Sequence, residues 1–290
     1  MEFILENDIL KVTITTRGAQ YKSIIRKDDG VEHIWCGNPE VWPLHAPILF
    51  PFCGRIKDGK LEAKGQVAEN LNSHGFDRTI EHSLVSHDDT TLVLELRDNE
   101  ITRKIWPYTF QLVTTFTLEG DTVHHTLTVE NTGEENISFG IGYHPAFALP
   151  FDSNHTADDY EIRFDSLESP ICLGAGTFSY ALGQNIYSIP VTEEVFAGGG
   201  YVMTALRSKT IGLYEKDSGR GVVCGIRNFP FVVLWSKENM TPRYVCLEPW
   251  NTIHYPLDCA TSNKWEDKTA AAILAPGEDW STTLSASFVR

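Results

Sequence analysis

Three short segments of the chain combine a titratable side chain with an adjacent glycine or proline. They are His74-Gly75, His144-Pro145 and Glu248-Pro249. Imidazole and carboxyl groups are the side chains most often used to transfer protons near neutral pH. If the fold brings the three together, the sequence predicts acid–base chemistry. The structural alternatives are a histidine in a surface loop, a histidine that caps a strand and a glutamate that points to water.

The residues before His144 predict an unusually bare strand face. If residues 137–143 form one strand, then Ser138, Gly140 and Gly142 lie on the same face as His144. So few side chains would let another group approach the sheet closely. That group is either a ligand beside the imidazole or a tightly packed neighbour, and a bulge is the further alternative.

Glu248 ends a largely apolar run over residues 244–247. Burying a carboxylate at the end of such a strand is costly without a partner and raises its pKa. A carboxyl group with a raised pKa is suited to act as a general base.

Arg55 and several tryptophans are candidates for contacts with a substrate. Arg55 lies in the apolar stretch of residues 49–56, where it either extends to water or donates hydrogen bonds to substrate oxygens. Trp35, Trp235 and Trp250 could form an apolar wall against a ligand, although at least one of them is expected to be a core residue.

The elements that must position these residues are predicted to be strands. Apolar and polar residues alternate with the period of two that is typical of half-buried strands, and turn residues separate the runs. The clearest runs cover residues 92–96, 108–118, 123–130, 231–235, 244–248 and 280–288. Helical periodicity is nearly absent, and residues 192–196 and 263–271 are weak helix candidates. We therefore predict an all-β fold, a large antiparallel β-sandwich, formed by one domain over residues 1–290.

Composition limits the possible partners and location. The 39 acidic residues against 24 Lys and Arg give a net charge of −15, which disfavours nucleic acid and anionic membranes and leaves a neutral small molecule as the expected partner. The N-terminus does not resemble a signal peptide, so we expect a cytoplasmic protein.

The six cysteines form no Cys-x-x-Cys pair, which indicates reduced thiols and no structural zinc; they are Cys36, Cys53, Cys172, Cys224, Cys246 and Cys259.

Motifs for phosphate, dinucleotide or metal-dependent chemistry are missing from the sequence. It contains no P-loop, no G-x-G-x-x-G that opens a helix, no G-x-S-x-G and no H-E-x-x-H. We therefore predict that the protein needs no cofactor and no metal.

Taken in order, four segments resemble the galactose mutarotase (aldose 1-epimerase) family, in particular its shorter LacX-like bacterial branch. They are Gly54-Arg55, His74-Gly75-Phe76, Gly142-Tyr143-His144-Pro145 and Glu248-Pro249-Trp250. The resemblance implies a β-sandwich with a sugar-binding cleft, in a monomer or homodimer.

The same resemblance implies a role for each residue in interconverting the α and β anomers of a hexose. Glu248 would take the proton from the C1 hydroxyl, and His144 would protonate the ring oxygen. His74 would hydrogen-bond the substrate, and Arg55 would hold its hydroxyls. No cofactor is required for this reaction, because it needs only one proton to leave the C1 hydroxyl oxygen while another proton reaches the ring oxygen.

Two departures from the family pattern leave the sugar open. Gly54 stands where an asparagine usually precedes the arginine, and the aspartate that binds sugar hydroxyls has no clear counterpart. A hexose-6-phosphate 1-epimerase is an alternative that needs basic residues in the cleft, for which Arg78 and Arg243 are candidates. A non-catalytic carbohydrate-binding protein is another. Glycoside hydrolysis ranks last because it normally requires two carboxylates.

Overall fold

The computed structural model describes residues 1–173, 179–253 and 262–290, and strands dominate these ranges. In chain order the strands are β1 (Glu2–Glu6), β2 (Leu10–Thr15), β3 (Gln20–Arg26), β4 (Ile48–Leu49), β5 (Leu61–Ala63), β6 (Gln66–Ala68), β7 (Ser83–His87), β8 (Thr91–Arg97), β9 (Gln111–Glu119), β10 (Thr122–Glu130), β11 (Ile137–Phe139), β12 (Gly142–Tyr143), β13 (Ala146–Ala148), β14 (Tyr160–Glu168), β15 (Ile171–Leu173), β16 (Ser179–Ala181), β17 (Ile186–Pro190), β18 (Gly200–Thr204), β19 (Thr210–Glu215), β20 (Gly221–Gly225), β21 (Phe231–Trp235), β22 (Tyr244–Trp250), β23 (Ala272–Leu274) and β24 (Asp279–Val289).

Helices in the described ranges are short. The α-helix is α1 (Glu100–Ile105), which begins after an Asn99 capping box. Single turns of 3-10 helix cover Lys57–Gly59, Asp77–Thr79, Ala157–Asp159 and Trp265–Asp267. Within these ranges, no helix is long and apolar enough to cross a lipid bilayer.

Two large antiparallel sheets form the body of the protein, which confirms the predicted β-sandwich. One has nine strands in the order β17-β14-β19-β20-β24-β10-β9-β8-β7. The other has eight, in the order β16-β15-β18-β21-β22-β12-β4 with β13 paired to β22. The Tyr143 hydroxyl joins the sheets, because its oxygen lies 2.7 Å from the His125 carbonyl oxygen and 2.9 Å from that of Thr282, and its single proton is shared between them.

The alternating pattern correctly predicted which side chains form the core. Buried residues alternate with half-exposed ones along both β9 and β10. The two strands pair in register, so their apolar side chains enter the same cluster between the sheets.

Strand β22 is buried on both faces, and its two faces have different neighbours. Val245 and Leu247 belong to the cluster between the sheets. Tyr244 and Cys246 lie on the opposite face with Trp250, packed in smaller clusters. Since Glu248 shares their parity, β22 carries it on the face turned away from the main core.

The prediction of a single strand over residues 137–143 is wrong. The chain forms β11, which pairs with β23, and then β12, which pairs with β22 and β4. The local pattern could not show this change of partner, because both pairings involve distant residues. The predicted close approach at Gly142 is confirmed. A Cβ there would lie 2.8 Å from Trp250 Cδ1 and 3.1 Å from Cys53 Sγ, so the neighbour is a packed side chain.

Neither expected helix forms as proposed, and the structure adds one that the pattern missed. Residues 193–196 form turns, and only Trp265–Asp267 is helical within residues 263–271, all of which the structure describes. The five described cysteines are free; Cys36 is exposed and the other four are buried. Cys259 lies outside the described residues.

Candidate active site

The register of the eight-stranded sheet places His144 beside Glu248. Gly142 pairs with Trp250 on one side of His144, and Ala146 pairs with Cys246 on the other. The residue midway between the two pairs therefore faces Glu248 across the ladder. His144 Nε2 lies 3.4 Å from Glu248 Oε2, although the residues are about a hundred positions apart in sequence.

Burial governs the protonation of this pair. The two side chains are 8% and 2% exposed. Burial raises the pKa of Glu248 well above its usual range, an effect that Trp250 opposes in part. Burial also lowers the pKa of His144 to about 3. A site of low polarity disfavours a charge on either group, so burial favours the protonated carboxyl group and the neutral imidazole.

His74 reaches the same cleft from a tightly anchored loop. Its backbone N–H donates to the Gly54 carbonyl at 2.7 Å, and it adopts a left-handed φ of 72° that a non-glycine residue rarely takes. The following Gly75 forms a bridge with Phe50. A Cβ on Gly75 would lie 2.0 Å from the Phe50 oxygen, so only glycine fits.

A hydrogen bond fixes the orientation and tautomer of the His74 ring. The Gly54 backbone N–H donates to Nδ1 of His74 at 3.1 Å. Nδ1 must then be the unprotonated nitrogen, which leaves the proton on Nε2. Burial, followed by the charges of His144, Arg78 and Arg55, lowers the pKa of His74 well below its usual range. His74 is therefore a neutral hydrogen-bond donor, and Gly54 supports it through backbone atoms alone.

The predicted site residues converge on one cleft of about 540 Å³. Its lining includes seven of the residues that the sequence suggested, namely Arg55, His74, Arg78, His144, Trp235, Glu248 and Trp250, whereas Trp35 and Arg243 do not line it. His74 and His144 meet edge to face with ring centroids 5.3 Å apart. A cleft with a proton-donating and proton-accepting pair on one wall and aromatic rings around it is typical of a site for a small polar molecule.

Comparison with known proteins identifies the family of the chain. A family model described as Aldose 1-epimerase matches residues 1–287. The chain belongs to the aldose 1-epimerase family. It is 28% identical to Protein LacX of Lactococcus lactis subsp. lactis over 291 residues, which covers 95% of each chain.

Solved structures show the same fold. A galactose mutarotase related enzyme from Lactobacillus acidophilus superposes with a TM-score of 0.92 at 27% identity, covering 100% of this chain and 98% of its own. A galactose mutarotase-like protein from Lactobacillus casei gives a TM-score of 0.86 at 24% identity, covering 99% of both chains.

The aromatic wall of this aldose 1-epimerase family member differs from the expected one. Trp42, which the sequence did not single out, stacks on His144 with centroids 5.0 Å apart and the planes at 21°. Trp235 meets the same imidazole edge to face at 5.9 Å. Trp35 is a core residue, buried beneath Trp42 and donating its indole N–H to the Trp42 carbonyl.

Basic side chains outnumber acidic ones among the described residues that line the cleft. Arg55 and Arg78 both line it, and neither has a carboxylate partner in the part of the chain that the structure describes. Burial lowers the pKa of Arg78. Among the described residues, Glu248 is the single carboxyl group in the lining, and no aspartate joins it. Among the described residues, the lining therefore carries more basic than acidic side chains, although the whole chain is acidic.

Proposed function

We propose that this protein is an aldose 1-epimerase that interconverts the α and β anomers of a hexose. The observation that carries the proposal is the buried His144–Glu248 pair on the wall of the cleft, 3.4 Å apart. Ring opening of a hemiacetal needs a proton taken from the C1 hydroxyl and a proton given to the ring oxygen. Two adjacent groups, one that accepts a proton and one that gives a proton, can supply both transfers.

In the proposed mechanism Glu248 is the base for the C1 hydroxyl and His144 is the acid for the ring oxygen. Since the empty site favours the proton on Glu248, binding of the sugar must be accompanied by its transfer to His144. Ring opening then breaks the bond from C1 to the ring oxygen and leaves an open aldehyde. After rotation about the C1–C2 bond, the same two groups act in reverse and close the ring on the other face.

His74 and the cleft walls position the sugar in this proposal. The neutral His74 ring, held by Gly54, donates a hydrogen bond beside His144. Arg55 holds sugar hydroxyls, and Trp235 and Trp250 pack against the apolar face of the ring. Positioning of this kind lowers the barrier because the reacting groups need no further ordering. The cytoplasmic location and the monomer or homodimer stay predictions.

Anomer exchange of pure α-glucose and α-galactose tests the proposal. We expect added protein to accelerate the approach to equilibrium for at least one free hexose, measured by NMR saturation transfer or polarimetry against a blank. The blank is necessary because sugars equilibrate slowly in water without a catalyst. No acceleration with any common hexose or hexose phosphate would contradict an epimerase.

A hexose-6-phosphate is the second candidate substrate, and the two cleft arginines favour it because neither has a carboxylate partner among the described residues. A phosphate would give Arg78 the anionic partner that it lacks within the described ranges. In that case the 6-phosphate should react faster than the free hexose. Arg78→Gln should lower this preference about 10- to 100-fold, the effect of losing one charged hydrogen bond.

Arg243 offers a control for this test. It stacks over Trp35 at 5.6 Å and does not line the cleft, so Arg243→Gln should leave the substrate ratio unchanged. Equal rates with and without the 6-phosphate in the wild type would remove the phosphate candidate and leave the free sugar.

The pH dependence of kcat/KM should reflect the shifted pKa values of the pair. His144 has a pKa of about 3 and Glu248 has one well above its usual range. His144 therefore does not titrate near the ordinary histidine pKa of about 6.5. We expect kcat/KM, corrected for the blank, not to fall as the pH is lowered from about 7 to about 5.

Activity should fall where the proton count of the pair changes. Toward pH 3 the pair binds a second proton, so neither group can act as the base. At alkaline pH the pair loses its remaining proton, so neither group can act as the acid. An acidic limb centred between about pH 6 and 7 would contradict this assignment, because it would give His144 an ordinary pKa.

A further inference from the structure

Cys246 completes a three-residue cluster with the acid–base pair. It precedes Glu248 by two residues on β22, so both side chains lie on the same face of the strand. Ligand atoms of His144, Cys246 and Glu248 all lie within 4.8 Å of one another, and all three residues are buried. Ring opening as proposed above does not use this thiol.

The geometry of the pair fits a tetrahedral metal ion better than a direct hydrogen bond. Zinc binds nitrogen and oxygen ligands at about 2.0–2.2 Å, so two ligands of a tetrahedron are roughly 3.3–3.6 Å apart. The distance between His144 Nε2 and Glu248 Oε2 is 3.4 Å. Glu248 Oε2 and His144 Nδ1 are also buried without a hydrogen-bond partner in the described ranges. The carboxylate oxygen is therefore free to accept a metal bond.

We propose that His144, Cys246 and Glu248 form an inhibitory site for a thiophilic divalent cation such as Zn²⁺. The cation would bind the imidazole nitrogen, a thiolate and a carboxylate, and any protons on the thiol and carboxyl groups would leave to solvent. Two negative ligands balance the charge of the ion, so no net charge is buried. The fourth position opens to the cleft, because His144 and Glu248 line it.

The inhibition, unlike the binding, rests on the proposed function. A bound cation would occupy the nitrogen that delivers the proton and the oxygen that accepts it. Both transfers of ring opening would then stop. The ion is an inhibitor in this proposal, which agrees with the expectation that the reaction itself needs no metal.

A second cluster of potential metal ligands differs from this site because an arginine is already paired with its carboxylates. Asp152, His155 and Glu215 also lie within 4.8 Å of one another. There Arg220 already donates to Asp152 at 2.6 Å and to Glu215 at 2.9 Å. A guanidinium group thus occupies the place of a cation, whereas no Lys or Arg side chain in the described ranges is paired with Glu248.

Cobalt absorption tests the binding without any measurement of activity. Co²⁺ added to the intact protein without oxygen should give a thiolate-to-cobalt charge-transfer band and visible bands typical of four ligands. Cys246→Ala should abolish the charge-transfer band. It should also weaken Zn²⁺ binding by about 100-fold or more, since even outer-shell changes cost 10- to 100-fold.

Cys53→Ala is the matched control, because Cys53 is equally buried near Glu248 but lies outside the ligand cluster. It should keep the cobalt band and the Zn²⁺ affinity. Absence of the band in the wild type, or its survival in Cys246→Ala, would overturn the site. If the band appears and depends on Cys246 while no sugar is epimerised, the site stands and the proposed function fails. Anomer exchange that Zn²⁺ inhibits equally in wild type and Cys246→Ala would refute inhibition through this cluster.

Discussion

Glu248→Gln should reduce anomer exchange by about 10³-fold, within the range that a single proton-transfer group contributes. Glutamine keeps the shape of the side chain and can still donate and accept hydrogen bonds. It cannot take the proton from the C1 hydroxyl, and it cannot deliver one to His144 across the 3.4 Å gap. The measurement is the exchange rate of the preferred sugar by NMR, corrected for the uncatalysed rate.

The same substitution should not destabilise the protein. Burial holds the pKa of Glu248 well above the value it would have in the unfolded chain. Above its unfolded pKa, the carboxyl group therefore favours the unfolded state, and glutamine removes this penalty. We expect Glu248→Gln to melt at or above the wild-type temperature near pH 7.

Glu238→Gln provides the control, since this carboxylate pairs with Lys237 at 3.1 Å and does not line the cleft. It should leave the exchange rate unchanged. Wild-type rates in Glu248→Gln would show that the mechanism is wrong. Sugar binding in both forms with turnover in neither would instead identify a non-catalytic carbohydrate-binding protein.

The sequence predicted the sandwich well because each strand has one face toward the core. Alternation along β9 and β10 specifies which side chains are buried without any knowledge of the partner strand. It failed over residues 137–143, where the chain leaves β23 for β22 within a few positions. Which strand each segment pairs with depends on residues far away in the sequence, so the local pattern could not predict the change of partner.

Residue types and flanking glycines indicated the proposed catalytic set, but not its geometry. The contact between His144 and Glu248 follows from strand register, which the sequence does not state. Trp42 was missed because it lies between strands in a segment without periodicity. Its position next to Pro43, in the long connection between β3 and β4, was the available signal, since a tryptophan outside any strand has less core to enter.

Gly75→Ala should both destabilise the protein and impair the site. The added Cβ would lie 2.0 Å from the Phe50 oxygen, and the backbone would keep a φ of 71° that alanine disfavours. Backbone overlap and left-handed strain together should lower the free energy of unfolding by about 3 kcal/mol or more. Because the next residues donate to the same Phe50 oxygen, the loop must move, and His74 with it.

Gly65→Ala separates the strain from the clash. Gly65 has nearly the same φ, 73°, but a Cβ there meets nothing within 4 Å. It should lower the free energy of unfolding by only about 1 kcal/mol, the cost of a left-handed alanine, and should leave anomer exchange unchanged. Thermal or urea unfolding measures the first effect, and kcat/KM measures the second. Equal losses in the two variants would mean that contact with Phe50 does not hold the loop, and that His74 owes its position to the Gly54 hydrogen bonds alone.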